Sequence, residues 1–303
     1  MRRVLSVPPS LDDRAFDALV AGAVAAPEDG EASPVLVDAR HVRWADPYGM
    51  TGLLALGHHL ASDGARPALQ LPDAPEVVSY LGRMGFLRLA DEVFEVHGAP
   101  RPRRTGGSSS VLLEITPVNS HEDVHTVIEL VQARAGAILT ERLNDSGADG
   151  AMFSMILSEV CQNIIEHAET GGWVGIQTYN WARRLGRQVV VIAVADMGVG
   201  FRGSLAREHA SRYGDRWGDA TALEAAFIHG MTRFRDPGRG QGLAGIKGFL
   251  DRWKGKISIR SGTARLAIVP IWDDDVPLAD HLPYFPGAQV QITIPATQEA
   301  ESR

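Results

Sequence analysis

Cysteine occurs once in the 303 residues, as Cys161. A single thiol closes no internal disulfide, so the chain is expected to fold without covalent staples, in a reducing compartment. The 10 histidines are scattered, and no His/Cys cluster has the spacing of a metal site. Positive charge is also short: 30 Lys and Arg against 37 Asp and Glu give a formal net charge of -7. Bulk charge therefore gives no reason to expect direct nucleic-acid binding or an anionic membrane as partner. Long apolar runs are missing too. Val189 to Ala195 and the small-residue stretch Ala18 to Ala26 fall far short of the roughly 20 residues of a membrane span. Met1 to Pro9 carries charge but no apolar core before its prolines, unlike a secretory signal. The expectation is a soluble, cytoplasmic protein. What remains is ordinary globular material, 45% hydrophobic and 22% charged, in a chain long enough for two domains.

One seam divides it. Gly98 to Ser110 is rich in Pro, Gly, Ser and Arg and lacks apolar periodicity, as linkers do. The expected organisation is an N-terminal domain over 1–97, a linker over 98–110 and a second domain over 111–296. In the first, Val35 to Asp38 reads as a buried strand, and Asp46-Pro47-Tyr48-Gly49 turns into an apolar helix. A strand at Ala68 to Leu71 and a helix at Val77 to Met84 follow, making a small α/β unit. In the second, a strand at Val111 to Ile115 precedes helices near Glu122 to Leu143 and Asp149 to Ala168. Strands follow near Gly175 to Tyr179 and Gln188 to Ala195, then a long Gly- and Arg-rich region. A helix at Leu243 to Trp253 and strands at Lys256 to Arg260 and Gln289 to Ile294 close an α+β domain with a mixed or antiparallel sheet.

Three local patterns carry chemistry. Along Phe153 to Ala168, Phe153, Ile156, Leu157, Val160 and Ile164 share one helical face, while Glu159, Asn163, Glu166 and His167 share the next. A carboxamide oxygen suits Mg²⁺, and a neighbouring carboxylate can take a proton from a nucleophile. The same stripe also reads as a solvated helix face. Second, Asp196-Met197-Gly198-Val199-Gly200 ends the most β-branched strand. An aspartate there can accept a bond from an amine such as the adenine 6-amino group, and glycines let the backbone pass close to a flat ring. A plain strand-ending turn has the same composition. Third, Gly238-Arg239-Gly240-Gln241-Gly242 precedes a helix, with Arg233 and Arg235 nearby. Amides and dipole at a helix N-terminus favour phosphate, although solvated loops look alike. Gly198/Gly200/Gly203 and Gly240/Gly242/Gly245 also match G-x-G-x-x-G. Neither sits in the short βαβ unit, with an acidic second-strand end, that a dinucleotide site requires.

In this order, Glu159-x-x-x-Asn163, Asp196-x-Gly198-x-Gly200 and Gly238-x-Gly240-x-Gly242 resemble the N, G1 and G2 boxes of GHKL (histidine kinase-like) ATP-binding domains. The resemblance implies a two-layer α/β sandwich with a mixed sheet, and ATP with Mg²⁺ as cofactors. Asn163 would hold Mg²⁺ and Glu159 would be the catalytic base. Asp196 would bind adenine, with Gly198 and Gly200 shaping the pocket, and Gly238, Arg239, Gly240 and Gly242 would form the phosphate side. Leu157 to His167 looks most like anti-sigma factors of the serine-kinase type. The chain departs from the pattern at Gly287-Ala288, where a Gly-Thr pair is common, and Ile271 to Phe285 is an insertion with Asp273-Asp274-Asp275. Residues 1–97 resemble a STAS domain, the fold of anti-sigma-factor antagonists, through Val35 to Asp38 and Ala45 to Leu54. Antagonists carry a phosphorylatable Ser or Thr where this chain has Tyr48, and Thr51 lies nearby.

These resemblances imply an ATP-binding regulator that switches partners, such as a sigma factor or a STAS-type antagonist, with no direct nucleic-acid or membrane contact; a homodimer is compatible. As an enzyme it would be a protein serine/threonine kinase or a GHKL-type ATPase. Two alternatives stand beside it. Asn119-Ser120-His121-Glu122-Asp123 faintly resembles the phosphoacceptor box of a sensor histidine kinase, though His121 also reads as the start of a helix. The other is an interaction protein whose nucleotide pocket is vestigial.

Overall fold

The computed structural model describes residues 3–25, 35–61, 65–98, 111–143, 148–168, 170–181, 185–231 and 241–296. The seam residues 99–110 lie outside these.

The N-terminal unit is built on strands β1 (Arg3–Ser6), β3 (Val35–Asp38), β5 (Ala68–Gln70) and β6 (Glu95–His97), adjacent in that order and parallel. A short parallel pair, β2 (Ser10–Leu11) and β4 (Trp44–Ala45), sits apart. Helices α1 (Asp13–Val24), α2 (Pro47–Leu60), α3 (Pro75–Arg83) and α4 (Phe86–Val93) complete it. Asp12 caps α1 by accepting from Arg14 N at 3.2 Å and Ala15 N at 2.9 Å. Phe16, Leu19, Val20 and Ala23 then bury one face at helical spacing. Asp46 caps α2 by accepting from Gly49 N at 2.8 Å, and Pro47 occupies the first turn, where no N–H is needed. Every residue of α2 from Pro47 to Gly57 is buried. A helix apolar on all sides needs a covering layer on all sides.

The second unit supplies that layer. Strands β7 (Leu113–Val118), β8 (Gly172–Trp181), β9 (Arg187–Asp196), β10 (Lys256–Gly262), β11 (Ala264–Ile268), β12 (Leu278–Ala279) and β13 (Phe285–Pro295) form a seven-stranded sheet. Their order is β12-β11-β10-β13-β9-β8-β7, and each described pair is antiparallel. Among the described residues, parallel pairing lies in the N-terminal unit. On one face pack α5 (His121–Leu143), α6 (Ala148–Asn163) and α9 (Gln241–Trp253), through Val127, Ile156, Val160, Ile246 and Leu250 against Val190, Ile192 and Val194. On the other lies α2, across β8, β9 and β13. Ala193 and Phe285 of the sheet belong to the N-terminal core, with Trp173 and Met197 packed against it. Strand β9 is thus buried on both faces from Val189 to Asp196, which accounts for its unbroken apolar run.

Polar groups cross the same interface. Asp46 also accepts from Gln291 Nε2 on β13. Lys256 lies 3.0 Å from Asp13 and 2.8 Å from Asp275. Arg260 and Arg265 grip the two oxygens of Asp17 at 2.8 and 3.0 Å, and Arg265 also reaches Asp275 at 2.7 Å. Arg14 pairs with Asp273 and Asp274. The Asp273-Asp274-Asp275 insertion is therefore a clasp on α1.

Two helices, α7 (Gly200–Tyr213) and α8 (Asp219–Phe227), occupy part of the region that reads only as Gly- and Arg-rich in sequence. Among the described residues the next strand after Gly203 is β10, which pairs antiparallel, so those residues form no dinucleotide βαβ unit there. At the head of α5, Asp123 Oδ2 accepts from the amides of Asn119 and Ser120, and Ser120 Oγ accepts from Asp123 N. That reciprocal cap leaves His121 as an exposed first-turn residue. Among the described residues no helix is long and apolar enough to cross a membrane.

Candidate functional site

Helix α6 buries Phe153, Ile156, Leu157, Val160 and Cys161, and presents Glu159 and Asn163 half-buried beside them. Burial, and then repulsion from Glu166, raises the Glu159 carboxyl above its ordinary range. Past Asn163 the helix widens into one π-turn, Ile164–Ala168. Such turns often mark functional positions, because one extra residue re-aims the chain.

This π-turn meets the end of β9. Ala168 C=O accepts from Val199 N at 3.2 Å. Gly198 lies so close to the Ala168 backbone that any Cβ there would collide with it. The first glycine of the Asp196–Gly200 motif is therefore required by contact with the helix that bears Glu159 and Asn163. The two sequence patterns are joined directly.

Asp196, 7% exposed, ends β9. Its Oδ1 accepts from Gly198 N at 2.8 Å and from Ala288 N at 3.2 Å. Its other carboxylate oxygen takes no bond from the described residues. Burial pushes its carboxyl up to about 6, although both amide bonds favour the anion. A buried carboxylate with one oxygen fixed is poised to accept from an amine.

Ser261 on β10 joins this site from outside the three sequence patterns. Its Oγ donates to Gly287 C=O at 2.9 Å and accepts from Phe201 N at 3.1 Å, tying the first turn of α7 to β13. A lone serine at a strand end carries no sequence signal for this role. Gly287, with φ of +75°, runs its backbone against that of Asp196, where no side chain fits. Beside these residues is a cavity of about 360 Å³, lined among others by Gly200, Arg202, Trp217, Asp219, Ser261 and Gly287. It lies on the α7 side, and Glu159, Asn163 and Asp196 do not line it.

Gly238, Arg239 and Gly240, with Arg233 and Arg235, lie outside the described residues, as does the His167 side chain. Gly242 falls inside the first turn of α9 rather than ahead of the helix. Among the described residues no group of three or more His, Cys, Asp or Glu forms a metal cluster.

Residues 148–298 match the family model described as "Histidine kinase-, DNA gyrase B-, and HSP90-like ATPase". This segment is a GHKL-type ATPase domain. The match takes in Glu159, Asn163, Asp196, Gly198, Gly200 and Ala288, and begins after β7 and α5. A search of curated proteins found no match to the chain. The mixed α/β architecture, with helices layered on the sheet, agrees with an ATPase domain of this type, and the family implies ATP as its ligand.

Proposed function

We propose that the protein is an ATP-dependent regulator of the anti-sigma-factor, serine-kinase kind, acting in the cytoplasm on a protein partner such as a sigma factor or a STAS-type antagonist. The observation that carries this reading is the direct contact of Ala168 with Val199 and Gly198, which puts the Glu159/Asn163 helix beside the Asp196 turn.

The residues fit a magnesium nucleotide. Asp196, anchored through Oδ1, would take the adenine amino group on its other oxygen. Asn163 would supply one oxygen ligand to Mg²⁺, an ion that keeps water and phosphate oxygens for its other positions and so needs no acidic cluster. Bound there, Mg-ATP would supply the transferable phosphoryl group, with the metal neutralising charge on the phosphates. Gly238, Arg239, Gly240 and Gly242 would lie along the phosphates.

Glu159 is the base in this reading. Its raised pKa brings it nearer neutrality, where it is better matched to accepting a proton from an incoming hydroxyl. The acceptor belongs to another protein. Tyr48, at the position where STAS antagonists are phosphorylated, is 1% exposed beneath α1 and the sheet. Thr51 is fully buried and donates to Tyr48 C=O at 3.2 Å, supporting the first turn of α2. The N-terminal unit thus serves as a fixed STAS-like module rather than a substrate in cis.

The test is Glu159→Ala with the partner protein and labelled ATP. Transfer should fall by about 10²-fold or more while nucleotide affinity changes little. Retained transfer would remove Glu159 from the mechanism.

A further inference from the structure

We propose that Phe285 is a positioning residue for the nucleotide site, through which the docked N-terminal unit sets how selectively Asp196 recognises adenine; this rests on the nucleotide reading above.

The geometry starts at a bulge. Strand β13 pairs with β10 in register from Lys256↔Thr293 to Ser261↔Ala288, and the next pair is Gly262↔Phe285. Pro286 and Gly287 are looped out between two fixed points. Bulges re-aim the backbone locally, and what they aim depends on how their ends are held.

One end is held by the N-terminal unit. The Phe285 ring is fully buried, with its centroid 5.4 Å from that of Phe16 on α1 and 5.5 Å from His59 on α2, both edge-on. Phe16 packs edge-on to Tyr48 at 5.7 Å, and the Arg260 guanidinium stands 5.7 Å from the Phe285 centroid. Gly52 admits the Phe16 ring against α2, where a Cβ would come within 2.7 Å of it. Close-packed aromatic clusters of this kind have few alternative arrangements.

The other end is Asp196. Ala288 N supplies one of the two amide bonds to its Oδ1, and Gln289 Nε2 donates to its carbonyl at 3.3 Å and to Pro286 C=O at 3.0 Å. Gly287 is pressed against Asp196 and held by Ser261. Met197, next in the motif, packs on the N-terminal core. Shrinking the Phe285 ring, or its neighbour Phe16, frees the bulge and with it the Ala288 bond that orients the carboxylate.

Base selectivity separates positioning from plain stability. A carboxylate accepts from the 6-amino group of adenine but meets the 6-oxo group of guanine acceptor to acceptor. Wild-type protein should prefer Mg-ATP over Mg-GTP by about tenfold or more in fluorescence titration. Phe285→Leu and Phe16→Leu, each checked for native circular dichroism and a cooperative melt, should cut that preference by about threefold or more. Arg14→Ala, which loosens the same interface at its rim, should leave the preference intact. Selectivity unchanged in both leucine variants would overturn the proposal. So would equal loss of both nucleotides, or an equal loss of selectivity in Arg14→Ala. A wild-type protein that binds neither nucleotide would overturn the nucleotide reading itself, a result distinct from these.

Discussion

Asp196 is a residue whose placement costs stability. Its folded-state carboxyl sits at about 6 against an ordinary 3.8, because burial penalises the anion. The folded state holds its proton more tightly than the unfolded chain. The associated stability is fully present below 3.8 and is lost as the pH rises through about 6. At neutral pH the buried anion then costs on the order of 3 kcal/mol. Asp196→Asn keeps the acceptor for Gly198 N and Ala288 N while removing the charge. In denaturant titrations of the nucleotide-free protein, the variant should be more stable than wild type at pH 7.5. At pH 3.5 it should be about equal; a variant less stable at both values would show that burial does not govern this carboxyl. Because a bonded amine favours the anion, ATP affinity should also rise from pH 5 to 7 in wild type beyond the rise in the variant. The nucleotide's own phosphates, which titrate near 6, affect both alike.

At the scale of elements, the α1–sheet contact rests on ions as much as on rings. Lys256 is almost fully buried, and burial alone would lower its pKa; Asp13, Asp275 and Asp273 together outweigh that and hold it charged. Burial raises the Asp13 carboxyl, whereas hydrogen bonds from Lys256 and Arg265 outweigh burial at Asp275 and bring it down to about 2. Lys256→Met strands buried carboxylates without their cation, and should cost about 3–5 kcal/mol in urea unfolding. A loss under about 1 kcal/mol would mean that solvent takes over the pairing.

None of this cluster is legible in the sequence, because Asp13 and Asp17 lie some 240 residues from Lys256 and Arg260. The Asp273–Asp275 run looks like a loop until α1 is placed against it. By contrast β8, β9, β10 and β13 are legible within a few residues at each end, from β-branched runs bounded by glycine and turn residues. Helix α7 is not, since Leu205 is its one buried residue and its remaining pattern is polar. Helix α1 has the periodicity of a buried face, masked by its small residues. The motif order Glu159, Asn163, Asp196, Gly198, Gly200 is visible in sequence, whereas Ser261 and Phe285 depend on a bulge that sequence does not announce.

At the scale of the molecule, the boundary near residue 98 in sequence is not a boundary of packing. Val111, Ile115, Ala193 and Phe285 belong to the same buried cluster as Phe16, Tyr48 and Phe94. Units that share a core and several buried ion pairs should unfold together. Differential scanning calorimetry should show one transition, with matching calorimetric and van't Hoff enthalpies. Two separated peaks would mean independent units. Helix α2 covers one face of the ATPase sheet, so on the proposed reading a partner would have to approach from elsewhere.

On the proposed reading, Mg-ATP binds between the Asp196 turn and the helix that bears Asn163. The deciding measurement is isothermal titration of the full chain with Mg-ATP, run beside Asp196→Asn and Asn163→Ala. Saturable binding near one nucleotide per chain is expected, strongly weakened by Asp196→Asn and dependent on Mg²⁺ through Asn163. Heats indistinguishable from dilution in the wild-type protein, or binding that neither substitution weakens, would contradict it.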